Sequence, residues 1–447
     1  MISSKKILFL DTTLHKKDAT GITLSNLFGD FHKNNLYMIG MPTEIELSRE
    51  SGYTNLFTLG ENELKHRFPL GIIKSFFLKF DKNKKIKKQT FVQPNLNEVI
   101  LSNVTKFSLS KVISSNLLKL FKALGLHYYF LKIELSSNLE NWIQDVDPDY
   151  LYVVLSTRHS IHFANQICDK YNIPLIVHIM DDWPRIIGKD TIFGNYWNTK
   201  VNIEFQNLLK RSAKQLAISK CMAEEYSVRF GGSWEYFHNP IDIERWLPFQ
   251  KITSKNSLSK KVRIGYLGRI GDANKDTIIQ FINSVDILNQ MDSEFIIEFH
   301  VYTKQLLESV GTNKNIKWHS FVDYEKIPNV MSEFDFLLLP LSFSHADILF
   351  ARLSIPTKLS EYLITGVPVL AIIPENTALN QFVSKNNCAF VINYNKPKEI
   401  VSKLIDVFNN PQEYSTISNT AKHIATENFA RNNILERFNK VFKNELK

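Results

Sequence analysis

The sequence predicts an α/β protein of two tandem Rossmann-like, doubly wound domains that face each other across a cleft. Three observations lead there. Short, nearly continuous apolar runs alternate with amphipathic segments, as parallel strands buried on both faces and their covering helices do. The 447 residues are too many for one ordinary core. The alternation also stops at one polar stretch, Gln250–Lys261 (QKITSKNSLSKK), and then starts again.

In the first half, Lys6–Asp11 reads as a strand, Gly21–Phe31 as a helix and Asn35–Gly40 as a second strand. The stretch from about 65 to 140, rich in Lys, Asn, Phe and Leu, reads as helices inserted into the sheet domain. A helix then leads to Asp147, followed by an apolar strand Tyr150–Ser156, a helix His159–Tyr171 and a buried strand Pro174–Met180. Lys214–Ser219 and Trp234–His238 repeat the short-strand pattern. In the second half Val262–Leu267, Phe295–Tyr302, Ile316–His319, Asp335–Pro340, Val367–Ala371 and Ala389–Ile392 read as strands, with helices over Asp276–Gln290 and Asp323–Phe334. The closing stretch Asn428–Lys447 carries Phe429, Ile434, Leu435, Phe438, Val441 and Phe442 at helical spacing. The chain thus divides into a first domain over 1–245, a linker over 246–261, a second domain over 262–427 and a last helix over 428–447.

Composition narrows the class. Hydrophobic residues at 44% and charged residues at 22% are those of a folded globular protein, and no apolar run reaches the roughly 18–20 residues of a spanning helix. The opening MISSKKILFLDTT has too short an apolar run for a signal peptide and no small-residue cleavage site. Cys168, Cys221 and Cys388 are few, odd in number and without metal-ligand spacing, which argues for reduced thiols in a cytoplasmic protein and against a disulfide framework or a structural metal. The net charge is +9. Between Lys65 and Lys88 nine Lys and Arg residues face one acid, Asp81, and are interleaved with Phe68, Phe76, Phe77 and Phe80. Such a stretch suits an anionic membrane surface; an ordinary core-facing helix with a solvated lysine loop is the equal alternative. No nucleic-acid-binding motif accompanies the charge.

The chemistry concentrates in the second half. The strand Val262–Leu267 runs into GRIGDANK, so that Gly268 turns the backbone while Arg269 and Lys275 project cations at the strand's carboxyl end. Further on, SIPTKLSEYLITGVPVLA places Pro356 in the first turn of a helix, Leu359, Tyr362 and Leu363 on its apolar stripe, and Gly366 at its stop. Thr357 and Lys358 at that helix start suit a diphosphate, and Glu361 one turn on can accept from the vicinal hydroxyls of a ribose. A plain i,i+3 ion pair between Lys358 and Glu361 is the competing reading. Ser342, Ser344 and His345 follow the strand Asp335–Pro340 at the same rim.

The order GYLGRIGDANK, FDFLLLPL and IPTKLSEYLITGVPVLA resembles the nucleotide-binding domain of GT-B fold glycosyltransferases, especially the retaining family 4 enzymes (glycosyl transferases group 1). Upstream, LAISKCMAEEY with FHNPIDIERW is similar to that family's passage into the interdomain linker, VHIMDDWP to its central strand and active-site loop, and ATGITLSNLF to its glycine loop. The resemblance covers most of the chain outside about 65–140. It implies that Arg269 and Lys275 hold the donor diphosphate and stabilise the leaving nucleotide, that Thr357 and Lys358 lie beneath the phosphates, and that Glu361 is the ribose-binding second glutamate of an E-x7-E pattern. It further implies that Gly21 approaches the donor from the first domain, that His178, Asp181 and Asp182 lie near the reacting sugar, and that the last helix crosses back to the first domain. Leu353 stands where that pattern has its first glutamate, with His345 and Asp347 as the nearest polar substitutes.

The expected activity is therefore retaining transfer of a hexose from a nucleotide diphosphate-sugar to a glycan or lipid-linked acceptor. It is expected without metal or other cofactor, in bacterial surface-polysaccharide assembly, by a cytoplasmic protein held at the inner face of the cell membrane. Trp183, beside the two aspartates, either stacks on a sugar or packs the core. A non-catalytic relative that serves as a scaffold for another transferase is the alternative, with Leu353 as its support.

Overall fold

A computed structural model describes residues 4–66, 119–251, 258–304, 313–320 and 322–443. The strands are β1 (Ile7–Leu10), β2 (Leu36–Gly40), β3 (Leu56–Thr58), β4 (Leu64–His66), β5 (Leu131–Ile133), β6 (Tyr150–Val154), β7 (Leu175–Ile179), β8 (Lys214–Ala217) and β9 (Trp234–Tyr236). In the second half they are β10 (Lys261–Leu267), β11 (Ile296–Tyr302), β12 (Ile316–His319), β13 (Phe336–Pro340), β14 (Val369–Ile372) and β15 (Phe390–Ile392). They form a seven-stranded sheet in the order β3-β2-β1-β6-β7-β8-β9 and a six-stranded sheet in the order β12-β11-β10-β13-β14-β15. Both are parallel throughout, and β4 and β5 form a separate antiparallel pair.

The apolar runs are continuous because both faces of each sheet are covered. Every residue of β1, β6, β7, β13 and β14 is buried. Each large side chain so buried contributes about 1.5–3 kcal/mol relative to exposure. In the first sheet the winding reverses between β1 and β6, in the second between β10 and β13. A crevice opens at such a switch point, beyond the carboxyl ends of the strands.

Two elements differ from the expected ones. The expected helix Asp323–Phe334 is a 3-10 turn, Tyr324–Lys326, running into a short helix, Ile327–Ser332. The closing segment is not one helix. Pro411–Phe429 and Arg431–Lys440 are separate helices, broken at Ala430, whose extended backbone (φ −54°, ψ 127°) pairs with Ile241. Ile241 N donates to Phe429 O (2.8 Å) and Arg431 N to Ile241 O (2.9 Å), so the chain's two passages between the sheets are bonded to each other. The helical spacing runs through Ala430 undisturbed, and only this long-range pairing breaks it. Beyond the break Ile434, Phe438, Val441 and Phe442 join the first sheet's core, with Phe438 edge-on to Phe28 at 5.0 Å.

At the linker, Gln250 Nε2 donates to Ile364 O (3.1 Å) and Lys251 N to Thr365 O (2.8 Å), so the passage is pinned to the second domain before residue 252. Of the basic stretch 65–88 only Lys65 and His66, in β4, are described. The remainder, and with it residues 67–118 of the expected helical insertion, lies outside the described residues.

Candidate functional site

On the second-domain side of the cleft, β10 ends at Leu267 and Gly268 follows with φ +147°, a conformation that favours glycine. A Cβ at Gly268 would stand 2.7 Å from Lys358 Nζ, so the strand end and the Lys358 ammonium are in direct contact. The ammonium lies 4.2 Å from the centroid of the Tyr266 ring and donates to Tyr266 Oη (3.2 Å), while Tyr266 Oη in turn donates to Arg269 O (2.6 Å). Burial pushes the Lys358 pKa down to about 8 against the opposing pull of Glu361. Arg269 and Lys275 are exposed at the same strand end, Lys275 as the first residue of the helix Lys275–Gln290. The loop after β13 is tied to this one, with Ser342 N donating to Ala273 O (2.7 Å) and Thr277 Oγ1 to Leu341 O (2.7 Å).

Glu361 is buried at 5% exposure, and its Oε1 has no hydrogen-bond partner. Burial raises its pKa to about 7, with Arg245 and then Lys358 pulling the other way. Among the described residues it makes no direct ion pair with Lys358, so the simple i,i+3 pair is not what holds the two. The helix that carries both, Lys358–Ile364, is only seven residues long and Thr357 makes no side-chain cap. The site's positive charge is therefore that of side chains, not of a long helix dipole. Thr357 Oγ1 faces the first domain, 3.2 Å from Thr23 Oγ1 and 3.3 Å from Ala19 O.

The first-domain candidates fare differently. His178 does not reach the cleft: it is fully buried in β7, its Nδ1 2.5 Å from Tyr152 Oη, and burial holds it neutral with a pKa near 3. Asp182 is fully buried too, accepting from Tyr226 Oη (2.9 Å) and Arg229 Nη2 (2.6 Å); this ion pair ties the loop after β7 to the helix Lys220–Phe230. Trp183 packs edge-on against Phe205 at 5.4 Å and is not open to a sugar. Asp181 is half-buried, its carboxyl 3.2 Å from Ser354 Oγ of the second domain and its pKa raised by burial to about 6. It is the acid of this loop that stands between the domains. Gly21 lies inside the first turn of the helix Ala19–Leu27, where a Cβ would meet His15 O at 2.6 Å and the His15 ring at 2.7 Å. That turn is the one that brings Thr23 to Thr357.

His345 is exposed at the first position of the helix His345–Ala351, beside Ala346, whose carbonyl accepts from Lys189 Nζ (2.8 Å). The segment from here to Thr357 is the main bridge across the cleft. Asp182 N donates to Phe350 O (3.0 Å), Ser219 Oγ to Leu353 O (2.5 Å) and Ser354 Oγ to Met180 O (2.8 Å). Leu353 itself is 1% exposed and packs into the first sheet's core. A carboxylate at this position would be buried in an apolar core, and the leucine there is an apolar anchor between domains.

Three contributors lie within GYLGRIGDANK and FHNPIDIERW without having been singled out as site residues. Tyr266 is the penultimate strand residue before the turn. Asn239, buried in FHNP, accepts from Asn26 Nδ2 (2.9 Å) and lies 3.4 Å from both Thr357 O and Ser360 Oγ, joining three elements. Arg245, from the linker, stacks on the Tyr324 ring at 3.9 Å while Lys16 of the first domain stands 4.7 Å from the same ring. Only the two-domain geometry brings these together.

The two sheets, their crossings and this cleft are those of the GT-B glycosyltransferase fold, and solved structures of that fold align over nearly the whole chain. Sucrose-phosphate synthase from Thermosynechococcus elongatus is similar at a TM-score of 0.62 and 9% identity, with 98% of each chain covered. HepE from Anabaena, in complex with UDP-glucose, is similar at 0.54 and 14%, covering 97% of this chain and 98% of that one. A variant of S. aureus TarM, in complex with fondaparinux, alpha-GlcNAc-glycerol and UDP, is similar at 0.54 and 11%, covering 98% and 100%. Residues 279–433 match the family model described as glucosyltransferase 3-like, C-terminal domain. No curated protein matches the chain by sequence.

Proposed function

We propose that the chain moves a hexose, with retention of configuration, from a nucleoside diphosphate-sugar to a glycan or lipid-linked acceptor in bacterial surface-polysaccharide assembly. The observation that carries this reading is Glu361, whose buried Oε1 has no donor beside the half-buried Lys358 and the end of β10. An unsatisfied buried acceptor costs about 1–3 kcal/mol, and the vicinal hydroxyls of a ribose are the donors that would remove the cost. The ligand's diphosphate would then lie against Lys358, Arg269 and Lys275. As the bond from the anomeric carbon to the diphosphate breaks, these cations stabilise the charge on the leaving group, and the scheme calls on no metal or other cofactor. The acceptor hydroxyl arrives on the same face, with Asp181 the nearest acid to hydrogen-bond it.

Uridine is the base we assign, because HepE is described with UDP-glucose and with UDP and glucose, and TarM with UDP. We place the protein on the cytoplasmic side of the cell membrane, with the basic stretch 65–88 against the inner leaflet. The test is a panel of nucleotide sugars, scored first for protection against thermal unfolding and then for UDP release on addition of acceptor glycans. A donor that stabilises the protein and is turned over with retention, read by NMR of the product anomer, supports the reading. Stabilisation without turnover on any acceptor identifies the scaffold alternative.

A further inference from the structure

Four non-glycine residues among the described ones have a left-handed backbone. Asp147, Asn172 and Asn387 are helix C-caps, where that conformation is routine. Asp11 (φ 58°) is not: it follows the last residue of β1, where the winding of the first sheet reverses between β1 and β6. Its Oδ2 fixes it there, accepting from Ser156 N (3.1 Å), Ser156 Oγ (2.8 Å) and Ser160 Oγ (2.6 Å) beyond the end of β6. Its Oδ1 takes no hydrogen bond from the described residues. Strain of this kind persists where the surroundings over-determine it, and three donors do so here.

Two neighbours are in the same state. Thr12 is only 6% exposed, and its hydroxyl bonds to no described residue. Glu44 is half-buried in the first turn of the helix Pro42–Glu50, which follows β2. Its Oε2 accepts from Met41 N (3.1 Å), and its Oε1 accepts from no described residue. Burial raises the carboxyl of Asp11 to about 6 and that of Glu44 to about 7, and the charge of Asp11 adds to the rise at Glu44, so the two share one crevice.

That crevice faces the other domain. The loop that Asp11 opens carries Lys16 to the Tyr324 ring (4.7 Å) and leads to the helix whose Thr23 meets Thr357. Along the row of strand ends β2-β1-β6-β7, Asp11 stands two strand spacings, about 10 Å, from Asp181. One sugar ring with a hydrogen bond at each edge has about that span. Two open carboxylate oxygens and a free hydroxyl accept from hydroxyl groups and repel a uronate or a phosphate. We propose that Asp11, Thr12 and Glu44 form the subsite for the acceptor's sugar, an uncharged hexose whose hydroxyls they bind while Asp181 meets the hydroxyl that reacts. Only the word acceptor rests on the transferase reading; a hexose-binding crevice stands on the three side chains alone. The sugar of the donor has the same chemistry, and the test separates the two.

Saturation-transfer NMR on the protein at about pH 8, where both carboxyls are ionised, tests this. The probes are methyl α-glucopyranoside, methyl α-mannopyranoside and methyl β-galactopyranoside, with the methyl glycoside of glucuronic acid as the charged control, each with and without UDP. At least one hexoside should bind the wild type, and the glucuronide should not. Asp11→Asn and Glu44→Gln should each weaken that hexoside by about tenfold, the worth of a hydrogen bond to a charged group, and Thr12→Val by about threefold. Asparagine tolerates the left-handed backbone, and its amide oxygen still accepts from Ser156 and Ser160, so the melting temperature should hold. If Asp11→Asn does not fold, Glu44→Gln and Thr12→Val decide the matter. Calorimetry should give all four proteins the same affinity for UDP and the same for UDP-glucose. No hexoside binding by the wild type, equal binding by the variants, or equal binding of the glucuronide overturns the proposal. So does a variant that loses UDP-glucose but keeps UDP, which gives the crevice to the donor's sugar. UDP binding by none of the proteins would overturn the transferase reading and leave a hexoside result obtained without UDP standing.

Discussion

The two walls of the cleft use their acidic residues differently. Behind the first-domain wall Asp182 is fully buried and held by Tyr226 and Arg229, while His178 is fully buried in the core, its Nδ1 against Tyr152 and its Nε2 without a hydrogen-bond partner. On the second-domain wall Glu361 is buried with an oxygen unpartnered, and Lys358 is half-buried over the Tyr266 ring. The Asp182 ion pair, closed within one domain, holds the fold together; a carboxylate oxygen without a donor beside a cation at a strand end is open to a ligand.

Substitutions separate the two kinds of wall. The largest effect is expected at Asp182→Ala, which removes the fully buried partner of Tyr226 and of the half-buried Arg229: stability should fall by about 3 kcal/mol in urea unfolding, while the folded fraction retains its affinity for donor. Leu353→Glu should cost a comparable amount by burying a charge at the domain anchor, and should not raise activity. Arg269→Ala should leave the melting temperature in place and lower kcat by about 10²–10³, the usual cost of removing one charge-stabilising donor.

The smallest effect is a matter of pH. Glu361 has a folded pKa raised to about 7 from an ordinary 4.5, so it takes stability away as pH rises from about 4.5 to about 7, where the unfolded chain ionises and the folded one does not. Glu361→Gln should therefore gain stability over the wild type as pH rises from 4 to above 7, while losing donor affinity. Lys358, with its pKa lowered to about 8, must stay protonated to meet a diphosphate. Donor affinity in the wild type should accordingly peak between about pH 7 and 8, which titration calorimetry across pH 6–9 checks.

The grouping on the second-domain wall was legible in the sequence because its parts are local. A strand end, a glycine and two cations lie within GRIGDANK, and Lys358 and Glu361 share a single helical turn. The parallel sheets were legible for the same reason, each strand being a short apolar run between helices. The other wall was misread at His178, because a histidine at the end of an apolar run looks the same whether it faces a cleft or a tyrosine in the core. Asp181 and Asp182 are neighbours in sequence, and only packing sends one to Arg229 and the other to Ser354. The break at Ala430, the clasp at Asn239 and the anchor at Leu353 depend on partners more than a hundred residues away, and periodicity carries no trace of them.

The central claim is that the second-domain wall holds a nucleoside diphosphate through Lys358, Glu361 and Arg269. Titration calorimetry of UDP into the wild type and into Glu361→Gln, Arg269→Ala and Asp181→Asn at pH 7.5 tests it most directly. The account predicts binding to the wild type, a loss of about tenfold or more for Glu361→Gln and for Arg269→Ala, and no change for Asp181→Asn. Equal affinity in all four proteins, or none in the wild type, would contradict it.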